Sequence, residues 1–235
     1  MKSTLTLMMK ISGLLGILGL GSCASRAPQV VADPGRELAE RIAATPEPAV
    51  LFVGNSYSFA LPQTFKKLAA GRGKTVRVGH STYGGWTLAQ HAANEGTLRK
   101  IRDGRWDVVV IQEQSLIPAL PERRRGKEMS APLRLLVAEV RQQGAVPLLY
   151  QTWGRRDGDP KLPNDDFRAM THRLRVGYQS AARSVGGMLV VPVGDAWERE
   201  FLASRGHALF VEDGSHPSAE GSELTARVFF EALFK

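Results

Sequence analysis

Short apolar runs that alternate with stretches of helical spacing constrain this chain more than any other feature. The runs at 50–53, 75–78, 108–111, 146–150 and 188–193 are rich in Val, Ile and Leu and are not built on polar alternation, which is the mark of strands covered on both faces. Helical spacing predicts helices over 61–70, 87–102, 129–142, 165–184, 197–203 and 217–234, with a short one at 34–44 ahead of the first strand. Strand and helix in alternation imply an α/β fold of three layers, with a parallel sheet of about five strands between helices. In such sheets ligands bind beyond the carboxyl ends of the strands. Neither an internal repeat nor a second domain is visible, and 43% hydrophobic residues suffice for a sizeable core.

The first residues do not fit this pattern. MKSTLTLMMKISGLLGILGLGSC carries Lys2 and Lys10 and then an apolar, glycine-rich run from Ile11 to Leu20, which is short for a membrane span and has the layout of a secretory signal. It ends in Leu20-Gly21-Ser22-Cys23, which resembles a bacterial lipobox, and Cys23 is the chain's single cysteine, with no intrachain disulfide partner. The expectation is a lipoprotein signal peptide over 1–22, a lipidated Cys23, a small, polar tether over 23–35 and one domain over 36–235. Acyl chains on Cys23 would anchor the protein to the exported side of the envelope, periplasmic or cell-surface, without spanning the membrane. An ordinary signal peptide that happens to carry a cysteine is the alternative.

The formal net charge of +8 falls to +6 once Lys2 and Lys10 are set aside. Basic residues such as Arg123, Arg124, Arg125, Arg155 and Arg156 occupy loops or polar helix faces, without a zinc-finger, RNA-recognition or helix-turn-helix signature. A solvated basic surface is therefore expected, and no nucleic-acid partner. His80, His91, His172 and His207 lack metal-ligand spacing of the His-Glu-x-x-His kind, so neither a metal nor another cofactor is expected.

Chemistry should lie in the segments that follow the strands. The first is Gly54-Asn55-Ser56-Tyr57-Ser58, a sharp turn between a strand and a helix, with Ser56 as a candidate nucleophile or, in a plain structural role, a helix cap. A serine hydroxyl needs a base, and the base needs a carboxylate to fix its tautomer. Asp213 and His216, three residues apart before the last helix, can supply that pair. Asp195, after the fifth strand, is the alternative orienter. After the second strand come Gly84 and Gly85, and after the third Gln112-Glu113-Gln114-Ser115. Tyr57, Tyr83, Trp86 and Trp153, near strand ends, are candidates to line a pocket or simply to pack. The Gly-x-Ser-x-Gly elbow of the α/β-hydrolases is absent.

On these residues the chain resembles the SGNH hydrolases, the GDSL-type esterase and lipase superfamily, over nearly all of 49–234. Gly54-Asn55-Ser56 matches the Gly-Asp-Ser of the family's first block with Asn for Asp. Gly85, or Gly84, matches the glycine of the second, and Asp213-Gly214-Ser215-His216 the Asp-x-x-His of the fifth. The resemblance implies a flavodoxin-like fold and ester hydrolysis through an acyl-enzyme on Ser56, with His216 as base and Asp213 as its orienter. It also implies an oxyanion hole from the Ser56 and Gly85 N–H groups and a side-chain amide. The third block departs from the family's Gly-x-Asn-Asp. Gln114 falls in register with its Asn, whereas Gln112 is similar to the glutamine of carbohydrate esterases of the same superfamily, and either amide can donate. Glu113 reads as a buried structural carboxylate. The expected partners are an acyl-ester substrate, with O-acetyl groups on glycans foremost and a lipid or thioester as runner-up, and the membrane through the anchor. A non-catalytic envelope-binding lipoprotein on the same scaffold is the rival reading.

Overall fold

The structure, a computed structural model, describes residues 33–235. The expected signal peptide, Cys23 and the tether up to residue 32 lie outside the described residues. Five strands, β1 (Ala49–Gly54), β2 (Arg77–Thr82), β3 (Val108–Ile111), β4 (Val146–Tyr150) and β5 (Leu189–Val191), form one sheet in the order β2-β1-β3-β4-β5. Every pair in it is parallel. This is the flavodoxin-like order, whose direction reverses at β1 and β3 and opens a crevice at their carboxyl ends.

Because side chains alternate across a strand, each central strand feeds two cores. Val50 and Phe52 of β1, Val108 and Val110 of β3, and Leu148 and Tyr150 of β4 face one side. There they meet α1 (Pro34–Ala43), α2 (Leu61–Gly71), α8 (Val193–Glu200) and α9 (Ala219–Phe234). Leu51, Val53, Val109, Ile111 and Leu149 face the other. That side is covered by α3 (Leu88–Ala92), α4 (Glu95–Asp103), α6 (Ala131–Gln142) and α7 (Phe167–Ser184). A short helix α5 (Glu122–Arg125) and a π-helical turn, Gly126–Ser130, lead into α6.

Four local expectations shift, each for an identifiable reason. The helix expected over 87–102 is two helices, because Asn94 leaves the helical conformation and its side chain caps α4 by accepting from Thr97 N at 2.8 Å. The strand expected at 75–78 runs instead from Arg77 to Thr82. It is an edge strand whose backbone pairs along the whole of β1, from Ala49 opposite Arg77 to Gly54 opposite Thr82, although most of its side chains are not apolar. Gly79 in that strand is pressed by the Trp106 ring, which a Cβ would approach to 2.4 Å. The strand expected over 188–193 ends at Val191, since Pro192 has no N–H to continue the ladder, and α8 starts at Val193, ahead of the expected 197. The last helix begins at Ala219 behind a Ser218 cap, while Pro217 pairs in an isolated antiparallel bridge with Phe210.

Among the described residues no helix is long and apolar enough to cross a membrane. Nor does any group of three or more His, Cys, Asp or Glu among them stand together as a metal site.

Candidate active site

Ser56 opens a single 3-10 turn, Ser56–Ser58, directly beyond β1. The cap of that turn is Asn55 and not Ser56: the Asn55 Oδ1 accepts from Tyr57 N at 3.2 Å. The Ser56 hydroxyl is left to other work. Asn55 is 2% exposed and binds in three further directions. Its backbone N donates to Gln112 Oε1 at 2.9 Å, its Oδ1 accepts from Gln112 Nε2 at 3.0 Å, and its Nδ2 donates to the Trp86 carbonyl at 3.0 Å. An aspartate here would have no donor for Trp86, which gives the Asn of this first block a physical reason. Gly54 must be glycine because a Cβ would lie 2.5 Å from Gln112 Oε1. Behind the turn, buried His91 bonds to the Gly54 carbonyl through Nε2 at 2.9 Å and to Thr97 Oγ1 through Nδ1 at 3.1 Å. A carbonyl only accepts, so Nε2 carries the proton there. Burial lowers the His91 pKa against the opposing effect of that carbonyl, which leaves a neutral structural imidazole.

The other half of the site arrives from the turn before α9. His216 Nε2 lies 2.8 Å from Ser56 Oγ, and His216 Nδ1 lies 2.5 Å from Asp213 Oδ2. The second Asp213 oxygen accepts from Ser215 N at 2.8 Å and His216 N at 2.9 Å. Partial desolvation alone would raise the Asp213 pKa, but these hydrogen bonds, with the His216 ring first among them, outweigh it and bring the carboxyl down to about 2. An ionised Asp213 fixes the proton on Nδ1 and leaves Nε2 as an acceptor toward Ser56. Gly214 supplies the left-handed corner of this turn, at φ +64°. Asp195, the alternative orienter, is engaged elsewhere, accepting from Gln151 Nε2 at 2.6 Å and Arg175 Nε at 2.7 Å.

The two glutamines after β3 have separate surroundings. The strand stops at Ile111, so Gln112 and Gln114 do not share a face as strand neighbours would. Gln112 is fully buried, with its Oε1 accepting from Asn55 N and from Ser58 Oγ at 3.0 Å, and its Nε2 donating to Asn55 and to the Glu113 carbonyl. Gln114 is partly exposed, and its Oε1 accepts from Leu116 N at 2.8 Å, which fixes the carboxamide with the NH₂ end free but for a 3.4 Å contact to Ser115 Oγ. A cleft of about 200 Å³ is bounded by Asn55, Ser56, Gly85, Gln114 and His216, with Tyr57, Ser115, Arg155 and Ser215 completing the wall. Gly85 takes a left-handed φ of +73°. Among the described residues neither the Ser56 N–H nor the Gly85 N–H has an acceptor.

Beneath this cleft, Glu113 is fully buried. One oxygen accepts from Leu88 N at 3.1 Å and Gln114 N at 2.6 Å, so a single carboxyl ties the start of α3 to the loop after β3. Its other oxygen has no partner, and burial raises its pKa to about 7 against those two hydrogen bonds. The candidate aromatics divide as well. Trp153 is buried between Tyr57, stacked at 4.8 Å, and Trp197, stacked at 3.6 Å, and its Nε1 donates to the Ser215 carbonyl at 3.1 Å. Tyr57 OH meets Ser215 Oγ at 2.6 Å. These two rings hold the His216 turn. Tyr83 and Trp86 stack on each other at 4.1 Å on the Gly85 loop. Sequence reasoning gave no role to Asn55, His91 or Arg155 in this site, and the anchoring role of Gln112 had no local signal, because each depends on which loops the sheet brings side by side.

No family model matches the sequence, and no curated protein matches it by sequence. Solved structures match it in three dimensions. A DUF4886 family protein from Bacteroides uniformis superposes with a TM-score of 0.71 at 23% identity, covering 80% of this chain and 83% of the other. A putative GDSL-like lipase from Parabacteroides merdae gives 0.60 at 17% identity over 80% of this chain and 96% of its own. A catalytic mutant of an acetylxylan esterase from Geobacillus stearothermophilus gives 0.62 at 17% identity over 80% and 94%. The chain thus has the three-layer fold of GDSL-like lipases and acetylxylan esterases, the SGNH hydrolase fold, with Ser56 and His216 meeting at the carboxyl edge of its sheet.

Proposed function

We propose that this chain is a serine ester hydrolase that works through an acyl-enzyme on Ser56. The observation that carries the reading is the unbroken relay from Asp213 Oδ2 through His216 to Ser56 Oγ, with links of 2.5 Å and 2.8 Å. As Ser56 Oγ attacks the ester carbonyl, its proton passes to His216 Nε2, and the imidazolium is stabilised by ionised Asp213. The carbonyl oxygen becomes an oxyanion facing the Ser56 and Gly85 N–H groups and the Gln114 carboxamide. Among the described residues the two backbone N–H groups are unengaged, and they line the cleft; donors held in place before charge develops are the effective ones. His216 then returns the proton to the leaving alcohol, and a water, deprotonated by the same ring, releases the acid and frees Ser56. Gln114 is assigned the donor role because it lines the cleft with its NH₂ engaged only in one long contact, whereas Gln112 is fully buried and its Nε2 already donates twice.

The substrate class we assign is a small acyl ester, O-acetyl on carbohydrate foremost. The small cleft, about 200 Å³, supports short acyl groups over long lipid chains, and acetylxylan esterase activity belongs to a protein of the same fold. The sequence pattern around Cys23 supports attachment of this enzyme to the envelope surface through lipid, and Cys23→Ser should move it to the soluble fraction. A fluorophosphonate probe tests the chemistry directly: wild type should be labelled on Ser56 and cleave p-nitrophenyl acetate. Absence of both would favour the rival, a binding protein on a hydrolase scaffold.

A further inference from the structure

Arg155 stands in the wall of the catalytic cleft without a counter-ion. Of the residues bounding that cleft it alone carries a permanent charge. Its neighbours along the loop after β4 and on α7 are different: Arg156, Arg168, Arg173 and Arg175 each pair with a carboxylate, at 3.3, 3.9, 2.6 and 2.7 Å. Among the described residues no ion pair or side-chain hydrogen bond occupies the Arg155 guanidinium, and its Nε is buried without a partner. Asp213 belongs to the same end of the molecule but is committed to His216 and Ser215.

The backbone at this position is also fixed. Gly154 N donates to Thr171 Oγ1 at 3.0 Å, and Gly154 lies so close to α7 that a Cβ would come within 2.6 Å of the Phe167 carbonyl. Arg155 N itself points at Met170 Sδ, 3.3 Å away. A half-buried cation without a counter-ion keeps its attraction for an anion that enters the cleft. A planar guanidinium is suited to a carboxylate, which it grips through two parallel hydrogen bonds.

We propose that Arg155 is a specificity residue that selects esters carrying a carboxylate close to the scissile bond, so that the preferred substrates are acyl esters of acidic carbohydrate units. This inference rests on the esterase reading and adds to it the charge of the substrate. The loop delivers Arg155 to the cleft that holds Ser56, and an anionic group bound there brings its ester to the nucleophile. Because the contact is electrostatic and partly exposed, it weakens with ionic strength.

The test compares two acetyl esters of nearly the same leaving group, 3-acetoxybenzoate and neutral 3-acetoxybenzamide. Wild type at low salt should favour the anionic ester in kcat/KM by about tenfold or more, the scale of one hydrogen bond to a charged group. Added salt should shrink that ratio. Arg155→Gln should lower the ratio about tenfold, with most of the loss in KM, and Arg155→Lys should recover part of it. An equal or reversed preference in wild type, a salt-insensitive ratio, or a ratio unchanged in Arg155→Gln overturns the proposal. The salt series uses wild type alone, so it decides even if the glutamine variant does not fold. Failure of wild type to cleave either ester or to react with the fluorophosphonate would instead sink the esterase reading, and this one with it.

Discussion

Around Ser56 the anchors are buried, with Asn55 at 2% exposure and Gln112, Glu113 and His91 at 0%, and they come from just beyond β1 and β3 and from α3. Around His216 the side chains stand half open, the ring at 43% and the Asp213 carboxylate at 48% exposure. There the geometry comes from a four-residue turn and its own hydrogen bonds, steadied by Trp153 and Tyr57 beneath Ser215. Ser56 is positioned by the assembled sheet, His216 by local bonding. Substitutions on the buried side should therefore damage folding together with rate, and those on the exposed side should damage rate alone.

The largest expected effect is at the meeting point. Ser56→Ala should cut kcat by a factor on the order of 10³ or more with an unchanged melting temperature, since its hydroxyl serves no cap. Near-normal turnover would break the reading of this turn. Next comes the exposed side: Asp213→Asn should lower kcat by about 10²–10³, with little change in KM or stability, because it deprives the imidazole of its orienting charge. Asp195→Asn should be much milder in rate, and the opposite ranking would move the orienting role. The sharpest comparison lies within one loop. Gln114→Ala should cost about 10² in kcat, the scale of one oxyanion donor. Gln112→Ala should cost on the order of 3 kcal/mol of stability, because it strips the partner from a buried backbone N–H and from Asn55. Parallel denaturant unfolding and kinetics separate them.

The smallest effect concerns Glu113. Its folded pKa of about 7 exceeds the ordinary carboxylate value of 4.5, so the folded state holds a proton that the unfolded state releases. The stability linked to that proton is fully present below pH 4.5 and is lost as pH rises through about 7. Glu113→Gln keeps an oxygen for Leu88 N and Gln114 N but does not titrate, so its melting temperature should vary less with pH across that window. Identical pH profiles for variant and wild type would mean that Glu113 is charged throughout.

How far the sequence reaches follows the same division. The apolar runs of β1, β3 and β4 were legible because burial on both faces leaves a continuous signal, and edge strand β2 was displaced because pairing with β1, not burial, sets its extent. Ser56, Asp213 and His216 could be singled out because each lies in a short local stretch that resembles a family block, and the fold brings Ser56 and His216 to 2.8 Å. The choice between Gln112 and Gln114 could not be made, since it depends on Asn55 reaching across from the turn after a neighbouring strand, a contact between residues 57 positions apart. Arg155 was visible only as one of several basic residues, and its lack of a partner is a fact of the folded loop.

The relay also joins residues 160 positions apart, from the turn after the first strand to the turn before the last helix. During synthesis the serine is made long before its base, and no partial chain ending short of residue 216 contains the imidazole that would activate it. Contacts this distant in sequence form late, after the loops between them have closed. With Ser56 as the nucleophile we propose, onset of activity during refolding is a clock for completion of the sheet and docking of α9. It should lag behind the recovery of helical circular dichroism, and a nascent or truncated chain should be chemically silent.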